Sequence, residues 1–208
     1  IGFLLLTWLI FGTWLWAHSE HAWLDAVRIV AVNVTSVVTT TGFALGDYTT
    51  WGSFAVLLFF YLTFVGGCSG STSGGLKIFR FQVAYVLLKA NLQQLIHPRA
   101  VIKQQYNNHN LDEDIVRSLI TFSFFFAITI ALIALGITLT GVDWVTALTG
   151  AATAVCNVGP GLGPVIGPAG NFSTLPDAAK WLLTIGMLLG RLEILTVLVL
   201  FTRVFWKH

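Results

Sequence analysis

Ten residues rich in glycine, serine and threonine, Gly66–Gly75, interrupt an apolar helix before that helix can have crossed a bilayer. The preceding stretch, Trp51–Val65, is predicted to be helical and covers about 22 Å at ~1.5 Å per residue. The hydrocarbon core of a bilayer is about 30 Å thick, so the interruption would begin at membrane depth. Irregular backbone is tolerated there only where protein buries it or water reaches it, which favours a lined cavity over a lipid-facing surface.

The composition agrees with a membrane location. Hydrophobic residues make up 56% of the 208 residues and charged residues only 10%, whereas soluble domains carry roughly 25% charged residues. We therefore predict an integral membrane protein. The net charge of +2 gives no reason to expect nucleic-acid binding, and the two cysteines are too few for a disulfide framework or a four-ligand zinc site. The chain begins at Ile1 within an apolar run, and we expect it to be a piece of a longer protein.

Basic side chains are concentrated between the two halves of the chain and at its C-terminus. They are Lys77, Arg80, Lys89, Arg99, Lys103, Arg117, Arg203 and Lys207. Most other connections carry acidic residues, with Arg28 and Lys180 as exceptions. By the positive-inside rule, the central linker and the C-terminus are predicted to be cytoplasmic.

The chain contains an internal repeat. The first copy spans residues 1–97, with helices predicted at Ile1–Ala17, Ala26–Val38, Trp51–Val65 and Leu76–His97. A polar linker, 98–114, leads to the second copy, 115–208, with helices predicted at Leu119–Leu139, Trp144–Val155 and about Asp177–Trp206. Because the second helix of each copy is too short to span a bilayer, it is predicted to be re-entrant. The predicted fold is all-α and membrane-embedded, with two tandem units of helix, re-entrant pore helix, filter loop and helix.

Each re-entrant helix runs into a glycine-centred segment at a matched distance. Asp25 precedes Gly42 by 17 residues, and Asp143 precedes Gly159 by 16. A dehydrated cation needs oxygen ligands, and backbone carbonyls supply them without a permanent charge that would trap it. Glycine suits such a segment because it adopts backbone angles that residues with a Cβ avoid. The pair of segments predicts an ion filter, although each alone is also typical of an ordinary turn.

Arg191 is unusual because it lies in an apolar helix about 20 Å from the start of that helix. A central arginine costs ~2.5–3.5 kcal/mol on translocon scales, so it should face a cavity or a partner. This depth matches that of Gly66–Gly75, and we hypothesise that the two constrict a pore below the filter. A purely structural clamp of Arg191 on nearby carbonyls is the alternative.

Two other classes of function fit parts of the sequence. Gly67-Cys68-Ser69-Gly70 resembles the motif of intramembrane serine proteases, with Ser69 as nucleophile, but such a serine needs a base within reach. The five histidines, His18, His21, His97, His109 and His208, all fall in loops or at helix ends, so we predict that the chain is not an enzyme. A non-conducting scaffold subunit would leave the matched glycines and Arg191 unexplained.

Several motifs together resemble the Trk/Ktr/HKT potassium-transporter superfamily, and its bacterial TrkH branch most of all. They are Thr39-Thr40-Thr41-Gly42-Phe43, Gly66-Gly67-Cys68-Ser69-Gly70-Ser71-Thr72, Gly74-Gly75-Leu76-Lys77, Asn157-Val158-Gly159-Pro160-Gly161 and Gly190-Arg191. Members have four repeats around one pore. The resemblance implies that this chain supplies the third and fourth repeats and that an N-terminal half of the same protein completes the pore.

The resemblance also implies site residues and partners. The carbonyls around Thr41, Gly42, Val158 and Gly159 would bind potassium, the only ligand expected, with Thr40 and Asn157 flanking them. The gate would comprise Gly66, Gly67, Gly70, Ser71, Thr72, Gly74, Gly75 and Arg191. The implied function is potassium uptake across the bacterial inner membrane by a lipid-embedded homodimer that a cytoplasmic, nucleotide-binding, TrkA-like subunit regulates. A sodium or sodium/potassium transporter of the same superfamily remains open.

Overall fold

The structure, a computed structural model, describes residues 2–68, 70–71, 73–97, 105–106, 109–192, 199 and 206. This part of the chain is predominantly helical. Its α-helices are α1 (Gly2–His18), α2 (Trp23–Val38), α3 (Ser53–Phe64), α4 (Ile78–Ile96), α5 (Glu113–Thr138), α6 (Trp144–Cys156) and α7 (Asp177–Arg191). Two short strand pairs, β1 (Val65–Gly66) with β2 (Leu76–Lys77) and β3 (Gln105–Tyr106) with β4 (His109–Asn110), were not predicted.

The first three helices pack as one group. A Cβ added at Gly12 of α1 would lie 2.8 Å from Cγ2 of Val27, so the missing side chain lets α1 approach α2 closely. The ring of Phe11 lies 6.0 Å from that of Trp51 and 5.7 Å from that of Phe59. The second helix begins at Trp23 rather than Ala26, so Asp25 lies inside its first turn. The helix dipole stabilises a carboxylate at this position.

The interrupted helix differs from the prediction at both ends. Residues Tyr48–Trp51 form a 3-10 turn, and the α-helix itself begins at Ser53 and ends at Phe64. Beyond it, β1 runs parallel to β2, so helix α4 starts at Ile78 instead of Leu76. The strands approach closely because Gly66 has no side chain: a Cβ there would overlap the Gly74 carbonyl oxygen.

The polar linker is partly structured. The strands β3 and β4 form an antiparallel pair, and the Tyr106 hydroxyl donates a 2.6 Å hydrogen bond to Oε1 of Gln82 in α4. Helix α5 begins at Glu113, two residues inside the predicted linker and six before Leu119. Arg99 and Lys103 lie outside the described residues.

The helices α5, α6 and α7 contact one another, and α6 is largely buried. With 26 residues, α5 is the one helix in the described ranges that is long and apolar enough to cross a membrane. We predicted α7 to continue to about Trp206, but it ends at Arg191, where the Leu192 N–H donates to the Leu188 carbonyl. Positions 193–198, 200–205, 207 and 208 lie outside the described residues.

Asp143 caps helix α6 as its position in the sequence predicts. Its carboxylate accepts a 3.0 Å hydrogen bond from the Thr146 N–H, which satisfies one of the unpaired donors of the first turn. Hydrogen bonds from the side chain and backbone of Thr146 hold the pKa of Asp143 below its ordinary value. The cap therefore fixes the direction in which α6 enters the protein.

Candidate functional site

The two glycine-centred segments meet. A Cβ added at Gly42 would overlap the Val158 carbonyl oxygen, and one added at Gly159 would lie 3.7 Å from Cα of Gly42. Gly42 follows α2 and Gly159 follows α6, so the structure brings the C-terminal ends of these two helices to one place. Of the site residues that the sequence predicts, Gly42, Val158 and Gly159 are thus direct neighbours.

The two segments share an unusual backbone pattern. Thr40 has φ +55° and Gly42 has φ +83°, while Asn157 has φ +55° and Gly159 has φ +117°. Thr40 and Asn157 are the only non-glycine residues with positive φ in the described part of the chain. A left-handed residue costs ~1–2 kcal/mol when it carries a Cβ. When alternate residues adopt this conformation, neighbouring backbone carbonyls can face the same side. In a β-strand, by contrast, successive carbonyls point to opposite sides.

Buried Thr153 and half-buried Asn157 hold the second segment in place. Thr153 accepts the Gly159 N–H at its hydroxyl oxygen and the Val158 N–H at its carbonyl, each at 3.0 Å. The Asn157 amide donates a 3.1 Å bond to the Met187 carbonyl of α7. The sequence analysis did not identify Thr153 as a site residue. The available signal was a hydroxyl side chain six residues before Gly159.

The first segment is held differently. The Thr41 N–H donates a 2.8 Å bond to the Ser36 carbonyl, and the hydroxyls of Thr39 and Thr41 share a 2.8 Å bond. The Ser36 hydroxyl occupies the position of the Thr153 hydroxyl, six residues before the glycine, but within the described residues it has no hydrogen-bond partner. The two segments therefore have similar backbones and different supports.

The glycine-rich loop lies directly against the second segment. A Cβ at Gly74 would overlap the Cys156 carbonyl oxygen and lie 3.1 Å from Cβ of Asn157. Within the loop, the Gly67 N–H donates a 2.9 Å bond to the Ser73 hydroxyl, which lies 2.6 Å from that of Ser71. Gly70 has open space around it. Ser69 and Thr72 lie outside the described residues.

The loop and Arg191 line one cavity of about 150 Å³. Its lining includes Ser71, Ser73, Gly74, Gly75, Lys77, Arg80, Phe122, Gly190 and Arg191. The Arg80 guanidinium lies 3.7 Å from the centre of the Phe122 ring, a cation–π contact. The cavity therefore brings the side chains of Lys77, Arg80 and Arg191 to one place beside the glycine-rich loop.

Arg191 follows a close contact between two helices. A Cβ at Gly190 would overlap the Val155 carbonyl oxygen, so α7 touches the backbone of α6 at the residue immediately before Arg191. This contact places Arg191 close to the C-terminal end of α6, which leads into the second glycine segment. It also explains why glycine precedes the arginine, a feature that the sequence alone left without a structural reason.

The described residues hold no group of three or more His, Cys, Asp and Glu side chains that could bind a metal ion. The oxygen atoms near Gly42 and Gly159 come from the backbone and from threonine and asparagine. Neutral oxygens of this kind suit a weakly held monovalent cation better than a divalent one, which prefers carboxylates.

Comparison with known proteins identifies the family. A family model described as "TrkH: Cation transport protein" matches residues 4–207. The Trk system potassium uptake protein TrkI of Halomonas elongata is 60% identical over 206 residues, which are 99% of this chain and 42% of that protein. The TrkH protein of Escherichia coli is 37% identical over 195 residues, or 93% of this chain and 40% of that protein.

A solved structure agrees. The crystal structure of the potassium transporter TrkH from Vibrio parahaemolyticus superposes with a TM-score of 0.90 at 34% identity, covering 98% of this chain and 43% of that one. The chain thus spans less than half the length of these relatives. The resemblance drawn from the motifs is confirmed, and the relatives are membrane transport proteins, not enzymes. This chain belongs to the TrkH family of cation transport proteins.

Proposed function

We propose that this chain forms half of a potassium-uptake pore, with the Gly42 and Gly159 segments as two sides of its selectivity filter. The observation that carries the proposal is the contact between two segments of matched backbone, each at the end of a short helix. The relatives named as potassium uptake proteins support potassium as the ion.

The proposed ligands are the backbone carbonyls around Thr41, Gly42, Val158 and Gly159, with Thr40 and Asn157 flanking them. Both α2 and α6 end next to these carbonyls, so the negative ends of their dipoles favour a cation there. Potassium is the transported substrate in this proposal rather than a resident cofactor.

An N-terminal half of the same protein would complete the filter. A face of α1 and α2 supports this, because it holds a cavity of about 430 Å³ lined by Trp8, Ser36, Thr41 and Phe43, among others. Phe43 directly follows Gly42, and its ring is 77% exposed. A large apolar side chain exposed beside the proposed filter fits a face that a further protein segment covers.

Ion flux tests the proposed function. With the intact transporter in liposomes, we expect rubidium uptake that potassium inhibits and that sodium at the same concentration does not. Equal inhibition by sodium would instead favour a sodium or sodium/potassium transporter. Absence of flux for every alkali cation would overturn the proposal and leave a scaffold role.

The loop 66–75 and Arg191 are proposed to gate the pore. Gly74 lies against the Cys156 carbonyl, immediately before the second filter segment, and the loop shares a cavity with Arg191. A cation that leaves the filter would meet the loop and the positive charge of Arg191, so displacement of either would lower the barrier.

Replacing Arg191 with alanine is expected to raise potassium flux several-fold, because one positive charge leaves the ion path. Arg191→Lys should stay near the wild-type rate. Arg28→Ala is the matched control, since Arg28 pairs with Asp25 at 3.3 Å on an exposed surface. Initial rubidium uptake at equal protein density measures the effect. Unchanged flux in Arg191→Ala would leave Arg191 only a structural clamp.

The remaining partners are proposed from the family. A homodimer is supported by α4, along which Phe81, Tyr85, Leu88, Leu92 and Leu95 are exposed at alternating spacings of four and three, the pattern of a helix–helix seam. A TrkA-like regulatory subunit would bind the basic cytoplasmic side, with linker 98–114 and the C-terminus facing the cytoplasm of a bacterial inner membrane. Lipid surrounds the helices in this arrangement.

A further inference from the structure

Each proposed filter segment is held by a second buried side chain, at the point where it leaves the glycine. Asn33 of α2 accepts the Leu45 N–H at 2.8 Å and donates to the Leu45 carbonyl at 3.0 Å. The Thr149 hydroxyl of α6 accepts the Leu162 N–H at 3.2 Å, and its oxygen lies 3.3 Å from the Leu162 carbonyl oxygen. In each copy, one buried side chain therefore accepts the N–H of the leucine three residues after the glycine.

The two brackets, Asn33 with Leu45 and Thr149 with Leu162, occupy matched positions. Leu45 lies three residues after Gly42, and Leu162 lies three residues after Gly159. Asn33 is nine residues before its glycine and Thr149 is ten before its own. Asparagine and threonine are chemically different, so the shared feature is the hydrogen bond accepted from the leucine N–H rather than the residue type.

Both bracketing side chains are enclosed, Asn33 completely and Thr149 at 8% exposure. Each also donates to the carbonyl four residues before it in its own helix, Ile29 at 3.0 Å and Val145 at 2.7 Å. The Val145 bond uses the one hydroxyl proton of Thr149, whereas the Asn33 amide has a second N–H for Leu45. A buried polar side chain that is satisfied on every side has one low-energy position, and it transmits that position to whatever it bonds.

On the basis of the proposed function, we infer that Asn33 and Thr149 are positioning residues for ion selection. Each one hydrogen-bonds the segment that follows the filter glycine to the short helix that precedes it. The carbonyls between the helix end and the leucine therefore keep a fixed spacing. They do not touch the ion. They act by preventing the segment from widening or narrowing around cations of different radius.

The test uses the intact transporter and three variants. Thr149→Val keeps the shape of the side chain and removes the acceptor of the Leu162 N–H, whereas Thr149→Ser keeps the hydroxyl. Thr129→Val is the matched control, because Thr129 lies in α5 and its hydroxyl donates to a carbonyl of its own helix, Phe125 at 2.8 Å. Rubidium uptake is measured against competing potassium and sodium, giving a maximal rate and a potassium-to-sodium ratio for each protein.

We expect Thr149→Val to lower the potassium-to-sodium ratio by roughly tenfold, which corresponds to ~1.4 kcal/mol of lost discrimination. Thr149→Ser and Thr129→Val should retain the wild-type ratio. A merely structural role would reduce the maximal rate through fewer folded transporters and leave the ratio unchanged, and that result for Thr149→Val would overturn the inference.

Asn33→Leu gives an independent reading of the first bracket. A lowered ratio is expected, and a wild-type ratio in a folded Asn33→Leu protein would contradict the inference for that copy. If the variant does not accumulate, Thr149→Val decides. Wild-type flux distinguishes failure of the proposed function from failure of this inference. If the wild type shows no potassium-selective flux, the proposed function fails. If it does, the variants test only the positioning role of Asn33 and Thr149.

Discussion

Replacing Gly42 with alanine is expected to abolish potassium-selective uptake, the largest functional effect of any single substitution considered. Gly42 has φ +83°, and its added Cβ would overlap the Val158 carbonyl oxygen. The left-handed conformation alone costs an alanine ~1–2 kcal/mol. The overlap is with backbone, which cannot rotate away as a side chain can. Relief requires one proposed filter segment to move away from the other, which displaces the carbonyls on which the proposed ion site depends.

Gly46→Ala separates the two causes. Gly46 has φ +78°, nearly the same as Gly42, but nothing lies within 4 Å of an added Cβ. The two variants therefore share the backbone strain, and only Gly42→Ala carries the overlap. We expect Gly46→Ala to retain selective rubidium uptake at a reduced protein level. If both variants lose uptake equally, strain is sufficient, and the contact between the two segments is not what the filter needs.

The sequence was most informative where a local pattern determines the structure. Asp143 caps α6 as predicted, because an aspartate before a helical run acts within its first turn. The spacing of Asp25 from Gly42 and of Asp143 from Gly159 indicated two similar units, and both glycines have positive φ. Their contact with each other depends on how distant helices pack, and no local pattern contains that information.

The parts that were missed depend on contacts distant in the sequence. The pairing of Val65–Gly66 with Leu76–Lys77 joins residues on either side of the loop, so the helix ends at Val65 and Leu76 were predicted wrongly. Asn33 is the one amide side chain of α2, and the sequence analysis missed it, because its bonds to Leu45 follow only from the return of the chain.

Replacing Gly190 with alanine is expected to destabilise the packing of α7 against α6. The added Cβ would overlap the Val155 carbonyl oxygen and lie 2.7 Å from the Val155 carbonyl carbon. Overpacking of a core typically costs about 1–3 kcal/mol of folding free energy. The backbones of α6 and α7 are both in this contact and cannot rotate away, so the cost belongs at the upper end. For a chain of this size that predicts an unfolding midpoint lower by roughly 5–10 °C, measured in detergent.

Gly186→Ala is the matched control for Gly190→Ala because it lies one turn earlier in α7. Its added Cβ would meet only side-chain atoms, the nearest being Cδ1 of Ile133 at 2.9 Å, which can rotate away. Alanine is also more favourable than glycine in a helix interior by ~1 kcal/mol, so this variant should keep or slightly raise the unfolding midpoint.

Equal midpoints for the two variants would show that α7 can slide past Val155. The Asn157–Met187 bond, which depends on the same helix spacing, would then be too weak to position the second segment. The expected result is that Gly190→Ala loses both stability and potassium selectivity, because one close backbone contact sets the spacing that Asn157 and Arg191 share.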